Sequence, residues 1–225
     1  MPHLLDNIFW HALSGPLKHF SEGVDHARRF ARGFSPIVAF PDPQRPDFDA
    51  LAPFCTPDEH FYCDGWSGAA PRGWRIEKDA AMFKMIWDGP IPAEDAAPDA
   101  IPLRAEHAPQ AVALATLTNP GPFGIRTIEL GEYFGYFEGD RLVAMTGERS
   151  AAPGLREISG VCTHPDFQGR GLARKLGLKV IRRQLLRGET PFLHVMSHNT
   201  TAHTMYQRMG FRDHRESPVR VVCRA

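Results

Sequence analysis

The stretch Val161-Cys162-Thr163-His164-Pro165-Asp166-Phe167-Gln168-Gly169-Arg170-Gly171-Leu172-Ala173-Arg174 constrains this chain more than any other. An apolar run ends there, a tight turn follows, and an amphipathic helix begins. Over Gly169–Leu186, Leu172, Leu176, Val180 and either Ile181 or Leu185 share one helical face, with Arg and Lys on the other. The first turn of a helix carries amides without intrahelical partners and the positive end of the helix dipole, so it binds phosphate oxygens. Gly169 and Gly171 let that backbone approach closely, Gln168 and Arg170 add side-chain donors, and Arg170 or Arg174 places positive charge beside a pyrophosphate. Taken alone, Gly-x-Gly at a helix start has a plainer explanation: a cap, with arginines on a solvated face.

The periodicity around this segment predicts an α+β chain with a mixed sheet. Residues 1–35 read as two short helices, on Phe9, Trp10, Leu13 and Leu17 and then on Val24, Ala27 and Phe30. Pro36–Phe40 suits a strand, and Met82–Trp87 a buried strand with helix as the alternative. Residues 89–100, rich in Pro, Ala, Asp and Glu, read as a linker, so the boundary is placed between an N-terminal α/β region, 1–97, and a second domain, 98–225. In the second region a strand is expected at Ile101–Arg104, a helix at Ala108–Leu117 and a Pro/Gly turn at Asn119–Gly124. A hairpin follows, Tyr133–Glu138 and Arg141–Glu148 around Gly139-Asp140, then a strand at Arg156–Thr163. Phe192–Ser197 reads as a strand and Asn199–Met209 as a helix capped by Asn199.

Composition excludes several function classes. The 26 basic and 26 acidic residues cancel, so no global charge draws the chain to nucleic acid or an anionic membrane. Arg28-Arg29 and Arg182-Arg183 are short pairs on expected solvated helix faces, without aromatic interleaving. No apolar run approaches the roughly 20 residues of a membrane span, and the start has no signal-peptide pattern, so a cytoplasmic location is expected. Four cysteines without Cys-x-x-Cys spacing are expected to be buried free thiols. Cys55, His60 and Cys63 match no common zinc pattern, so no metal is expected.

Gln168-Gly169-Arg170-Gly171-Leu172-Ala173 resembles the pyrophosphate motif of the GNAT acetyltransferase superfamily, Gln or Arg followed by x-x-Gly-x-Gly or Ala. Downstream, Asn199-Thr200-Thr201-Ala202-His203-Thr204-Met205-Tyr206-Gln207-Arg208-Met209-Gly210-Phe211 resembles its Asn-x-x-Ala-x-x-x-Tyr-x-x-x-Gly-Phe pattern. The resemblance covers roughly residues 101–215 and implies a central, mostly antiparallel mixed sheet flanked by helices. An α/β half before such a domain is similar to the glycine N-acyltransferase-like branch, where a degenerate GNAT half precedes the catalytic one.

The resemblance also implies chemistry. Acetyl-coenzyme A would be the co-substrate, its pantetheine arm held by the backbone of Val161, Cys162 and Thr163 and by Asn199, and its pyrophosphate by Gln168 through Arg174. Tyr206 would protonate the departing thiolate. An amine acceptor has to lose a proton before attack; His194, on the strand where family members place a base, is the first candidate, its alternative a histidine merely hydrogen-bonded in a half-buried strand, and Glu157 is the second. A covalent route through Cys162 lacks a partner His at a recognisable spacing. The expected reaction is acetyl transfer to a primary amine of a small molecule by direct attack. A non-catalytic acetyl-coenzyme A sensor, another acyl group, or a protein N-terminus as acceptor are the alternatives. Since GNAT domains often pair, a homodimer is among the allowed states. The acceptor pocket is expected to be shaped by the N-terminal half and the loop Asn119–Ile128.

Overall fold

A computed structural model describes residues 3–225. In chain order the elements are α1 (Ile8–Ser14), β1 (Ser21–Val24), β2 (Ala27–Phe30), β3 (Ile37–Ala39), α2 (Phe48–Leu51), β4 (His60–Asp64) and β5 (Trp74–Trp87). After an irregular stretch come β6 (Ile101–Pro102), α3 (Ala108–Thr118), β7 (Tyr133–Glu138), β8 (Arg141–Ala152), β9 (Leu155–Thr163), α4 (Leu172–Leu186), β10 (Thr190–Met196), α5 (Thr200–Met209) and β11 (Phe211–Arg224). The strands form one sheet in the order β1-β2-β3-β4-β11-β5-β10-β9-β8-β7-β6. Among the described residues β3–β4 and β9–β10 are its parallel pairs, and every other neighbouring pair is antiparallel.

The sheet passes through the boundary drawn at residues 97 and 98. β5, from the first region, lies between β10 and β11 of the second, and β11 pairs in turn with β4. Alternation along these strands divides the core. Met82 and Ile86 of β5 and Phe192 of β10 pack with Ile8, Phe9 and Leu13 on the α1 face. Met85 and Trp87, with Leu193 and Val195, pack with Leu176, Val180 and Tyr206 on the α4/α5 face. The apolar stripe read from the sequence of α4 is the one that is buried there.

The N-terminal region departs from expectation at residues 21–30, which form the hairpin β1–β2 in place of a second helix. Val24, Ala27 and Phe30 have helical spacing, but Gly23 sits at φ +134°, where an added Cβ would lie 2.2 Å from the Ala27 carbonyl oxygen. All four residues of β2 are buried, which suits a strand inside a sheet and no amphipathic helix. Arg28 and Arg29 are therefore not a solvated face: they are 8% and 2% exposed. The Arg29 guanidinium donates to Phe30 O, Phe54 O and Glu59 and lies 4.6 Å from the Phe61 ring centroid. Residues 89–100 are irregular but not loose, since Ala97 is buried and Lys179 of α4 donates to its carbonyl at 3.0 Å and pairs with Asp95.

All four cysteines are buried free thiols. No helix among the described residues is long and apolar enough to cross a membrane.

Candidate active site

The site begins where two strands part. β9 and β10 pair in parallel over Leu155–Glu157 and Thr190–Phe192, and beyond Glu157 and Phe192 they diverge without further bridges. The gap opens a way through the sheet. A cavity of about 220 Å³ occupies it, lined on one arm by Ile158, Ser159, Gly160 and Val161 and on the other by His194, Val195 and Met196. Phe9 and Met82 line it from the α1 face, Ala202 and Tyr206 from the α5 face, and Asn119–Pro122 border it as a loop. The cavity thus joins the two faces of the sheet at one point.

At that point stands a chain of three buried charged or polar groups. Arg149 on β8 donates to Glu157 through Nη2 at 2.6 Å and Nε at 3.1 Å, and the Ser150 amide donates to the same carboxylate at 3.1 Å. Glu157 Oε1 lies 2.7 Å from His194 Nδ1. Burial alone would raise the Glu157 pKa, but the charges of Arg149 and His194 outweigh it and hold the carboxyl well below the usual carboxylate range. An ionised carboxylate can only accept, so Nδ1 carries the proton and, in the neutral imidazole, Nε2 presents its lone pair. Nε2 is buried and has no hydrogen-bond partner among the described residues. The ring orientation is fixed by Phe9, whose ring stacks on His194 at 4.9 Å and 19°.

This geometry separates the two base candidates. A carboxylate held by an arginine and an amide is a weak base, so Glu157 orients the imidazole and His194 carries the available lone pair. Arg149 and Phe9 were not singled out from the sequence. The signal for Arg149 was a pair of opposite charges within two adjacent, otherwise apolar strands; ending β8 at Glu148 hid it. Phe9 lies 185 positions from His194, and no local pattern links them.

Tyr206, on α5, is 9% exposed and reaches the cavity from the opposite face. Burial raises its pKa, so the phenol stays protonated at neutral pH. Asn199 caps α5, its Oδ1 accepting from the Ala202 amide at 3.1 Å, and also borders the cavity.

The glycine turn has the form that phosphate binding requires. α4 starts at Leu172, three residues later than the sequence suggested, and Gly169 and Gly171 have φ of +76° and +73°. Such left-handed conformations favour glycine, and a Cβ added at either would meet nothing within 4 Å, leaving an open cradle. Lys175 is the first residue of the helix whose amide finds a backbone acceptor outside it, Gly171 O at 3.0 Å. Those of Gly169 through Arg174 make no backbone hydrogen bond among the described residues. Two side chains act differently from expectation: Gln168 ties the turn to Thr163 O at 3.3 Å, and Arg170 lies over Phe167 and donates to Asp166 O. Arg174 is exposed and borders a second, more open depression with Thr200, Thr204 and Arg208. The splayed strands, the open cradle and the unpartnered amides fit a coenzyme A moiety.

The Cys162 thiol faces away from the cavity. It packs with Ala111, Leu114, Leu142 and Met145 beneath α3, and burial pushes its pKa up to about 12, so it is no nucleophile. Val161 borders the gap, Cys162 is not among the residues that line it, and Thr163 ends the strand. His60, Glu77 and Cys223 form a separate cluster of potential metal ligands, but His60 is paired with Glu77 at 2.5 Å and Arg75 holds the second Glu77 oxygen.

Comparison with known proteins agrees with this geometry. The family model described as FR47-like protein matches residues 133–221. No curated protein matches the chain. A crystal structure of an acetyltransferase of the GNAT family from Novosphingobium aromaticivorans is similar over 100% of both chains, at 33% identity and a TM-score of 0.89. GCN5-related N-acetyltransferases from Kribbella flavida (16% identity, 96% of this chain and 95% of that one, TM-score 0.61) and, described as GCN5-related N-acetyltransferase-like, from Streptococcus suis (15%, 96% and 92%, 0.61) share the fold. The glycine N-acyltransferase-like branch finds no support in these matches. A splayed sheet, an open glycine cradle at a helix start and a full-length relative lead to one statement: the chain belongs to the GNAT family of acetyltransferases.

Proposed function

We propose that the protein transfers an acetyl group from acetyl-coenzyme A to a primary amine of a small molecule by direct attack. The observation that carries this reading is His194, a residue lining the cavity, whose Nε2 is buried and unpartnered among the described residues while its other nitrogen is bound to an ionised carboxylate. Acetyl-coenzyme A, when bound, supplies an activated acyl group. The amides from Gly169 to Arg174 would hold its pyrophosphate, and the backbone of Val161–Thr163 and Asn199 its pantetheine arm.

Each remaining step belongs to a residue of this chain. The acceptor ammonium gives a proton to His194 Nε2, and the neutral amine attacks the acyl carbon, forming the N–C bond as the C–S bond breaks. Glu157 stabilises the imidazolium that results, and Arg149 keeps Glu157 ionised and in place. The Tyr206 hydroxyl donates its proton to the departing sulfur, and the acylated nitrogen gives up its second proton to restore the phenol. With His194 on one face of the sheet and Tyr206 on the other, base and acid stand on opposite sides of the gap, so neither competes for the other's proton.

The test is calorimetric titration with acetyl-coenzyme A, followed by acetyl transfer to a panel of primary amines in the wild type and in His194→Gln. Binding together with turnover, the turnover falling at least a hundredfold in the variant, is the expected result. Turnover equal in both would remove His194 from the reaction. Cofactor binding with no turnover on any amine would leave a non-catalytic acetyl-coenzyme A protein.

A further inference from the structure

The cavity does not end at His194. On the α1 face it continues along β5 and its neighbours as a trough whose walls are the side chains of Met82, Ala80, Val219, Val221 and Tyr62. Register explains the continuity: Ala80 lies opposite Val219, and Val221 lies opposite both Lys78 and Tyr62, so these residues share one face of three adjacent strands. At the far end, opposite Val221, the trough is bordered by Lys78.

The charge at that end is not balanced. Along Glu77-Lys78-Asp79 the two acids fall on the other face, where Glu77 pairs with His60 and Arg75, and Asp79 with Arg220. Alternation alone leaves Lys78 on the trough side, exposed and without an ion-pair partner among the described residues. The other charges along the trough are paired: Arg149 with Glu157, and Asp64 with Lys84 at 2.6 Å, its second oxygen accepting from Ser217. Past the Tyr62 ring, a ligand therefore meets the apolar side chains of Met82, Ala80, Val219 and Val221 and then one cation without an ion-pair partner among the described residues.

Resting on the proposed acetyl transfer, we infer that the acceptor is an elongated primary amine with an apolar body and an anionic group at its far end, read by Lys78. Lys84, which lies opposite His194, and Lys78 are six residues apart on β5. At ~3.3 Å per residue that is about 20 Å, so the amine and the anion are separated by an extended body on the order of 10–20 Å once the lysine side chain reaches inward. A short amine would reach His194 without touching Lys78 and gain nothing from it.

The probes are straight-chain ω-amino carboxylic acids of increasing length, the matching ω-amino amides, and simple alkylamines. For the wild type kcat/KM should rise with length for the acids and exceed that of the equally long amides by about two- to fivefold, the effect of one exposed charge pair. In Lys78→Glu the order of acid and amide should invert; in Lys78→Gln it should vanish. Equal use of acids and amides by the wild type, or a preference that survives in Lys78→Glu, overturns the inference while amine turnover leaves the acetyl-transfer reading intact. Failure to acetylate any amine, the alkylamines included, defeats that reading and the inference with it.

Discussion

Replacing Glu157 by Gln is the sharpest probe of the site, because it keeps the shape of the side chain and removes its charge. Two consequences follow from the contacts. Arg149, 7% exposed, loses the carboxylate that neutralises it; leaving one partner of a buried ion pair alone costs about 3–5 kcal/mol. A Gln carbonyl still accepts from Arg149, which places the loss at the lower end, near 3 kcal/mol. For a chain of this size, about 2–4 °C per kcal/mol gives a fall in Tm of about 6–12 °C. The second consequence is chemical. With its oxygen bound to Arg149, the amide turns its NH2 to His194 Nδ1, which then has to accept, so the imidazole proton moves to Nε2 and the lone pair leaves the cavity. The rate should fall by about 10²- to 10⁴-fold, the range of general-base catalysis, with little change in acetyl-coenzyme A affinity. The assay combines thermal melting, steady-state acetyl transfer on the best amine of the panel, and ¹⁵N NMR of the histidine tautomer. A folded variant with wild-type kcat, or with His194 still protonated at Nδ1, would refute the argument.

Tyr206→Phe should lower kcat at least tenfold while leaving cofactor binding by calorimetry within about twofold, since it removes one hydroxyl that the protein itself does not use; an equal loss in both would make the tyrosine a binding group. Gly171→Glu should abolish detectable acetyl-coenzyme A binding, because it forces a side chain into the left-handed position at +73° and puts a negative charge in the cradle. Retained affinity in that variant would move the pyrophosphate elsewhere. Acid stability follows from Glu157, whose folded pKa lies below its unfolded one. Its contribution is present above the ordinary carboxylate range, near pH 4.3, and is lost as pH falls through the depressed value, so wild-type Tm should drop between about pH 4 and about pH 2 more steeply than that of Glu157→Gln. Parallel curves for the two proteins would show that the pair contributes nothing to acid stability.

How much of this could be read from the sequence depends on the distance over which each feature is decided. The glycine cradle, the Asn199 cap and the placement of Tyr206 on α5 are set by neighbours a few residues away, so turn chemistry and helical period reach them. The grouping of Arg149, Glu157 and His194 is set by strand pairing. Glu157 and His194 meet because β9 and β10 run side by side up to Phe192 and part just afterwards, and no local propensity records where two strands stop bonding. The same holds for the first thirty residues. Val24, Ala27 and Phe30 keep helical spacing, but β2 is closed in by β1 and β3, so all of its side chains are buried and period loses its meaning.

The insertion of β5 between β10 and β11 ties the first region to the chemistry. It puts Lys84 opposite His194, and the Lys84 ammonium, fully buried and paired with Asp64, donates to the carbonyls of Leu5 and Asp6. Those two bonds fasten the turn that leads into α1, and α1 carries Phe9 onto the face of the imidazole. A family domain cut at residue 98 would keep the glycine cradle, Tyr206 and His194 itself. It would lose the strand beside His194, the ring stacked on it and the trough that ends at Lys78, so the first region is part of the site and not an appendage to it.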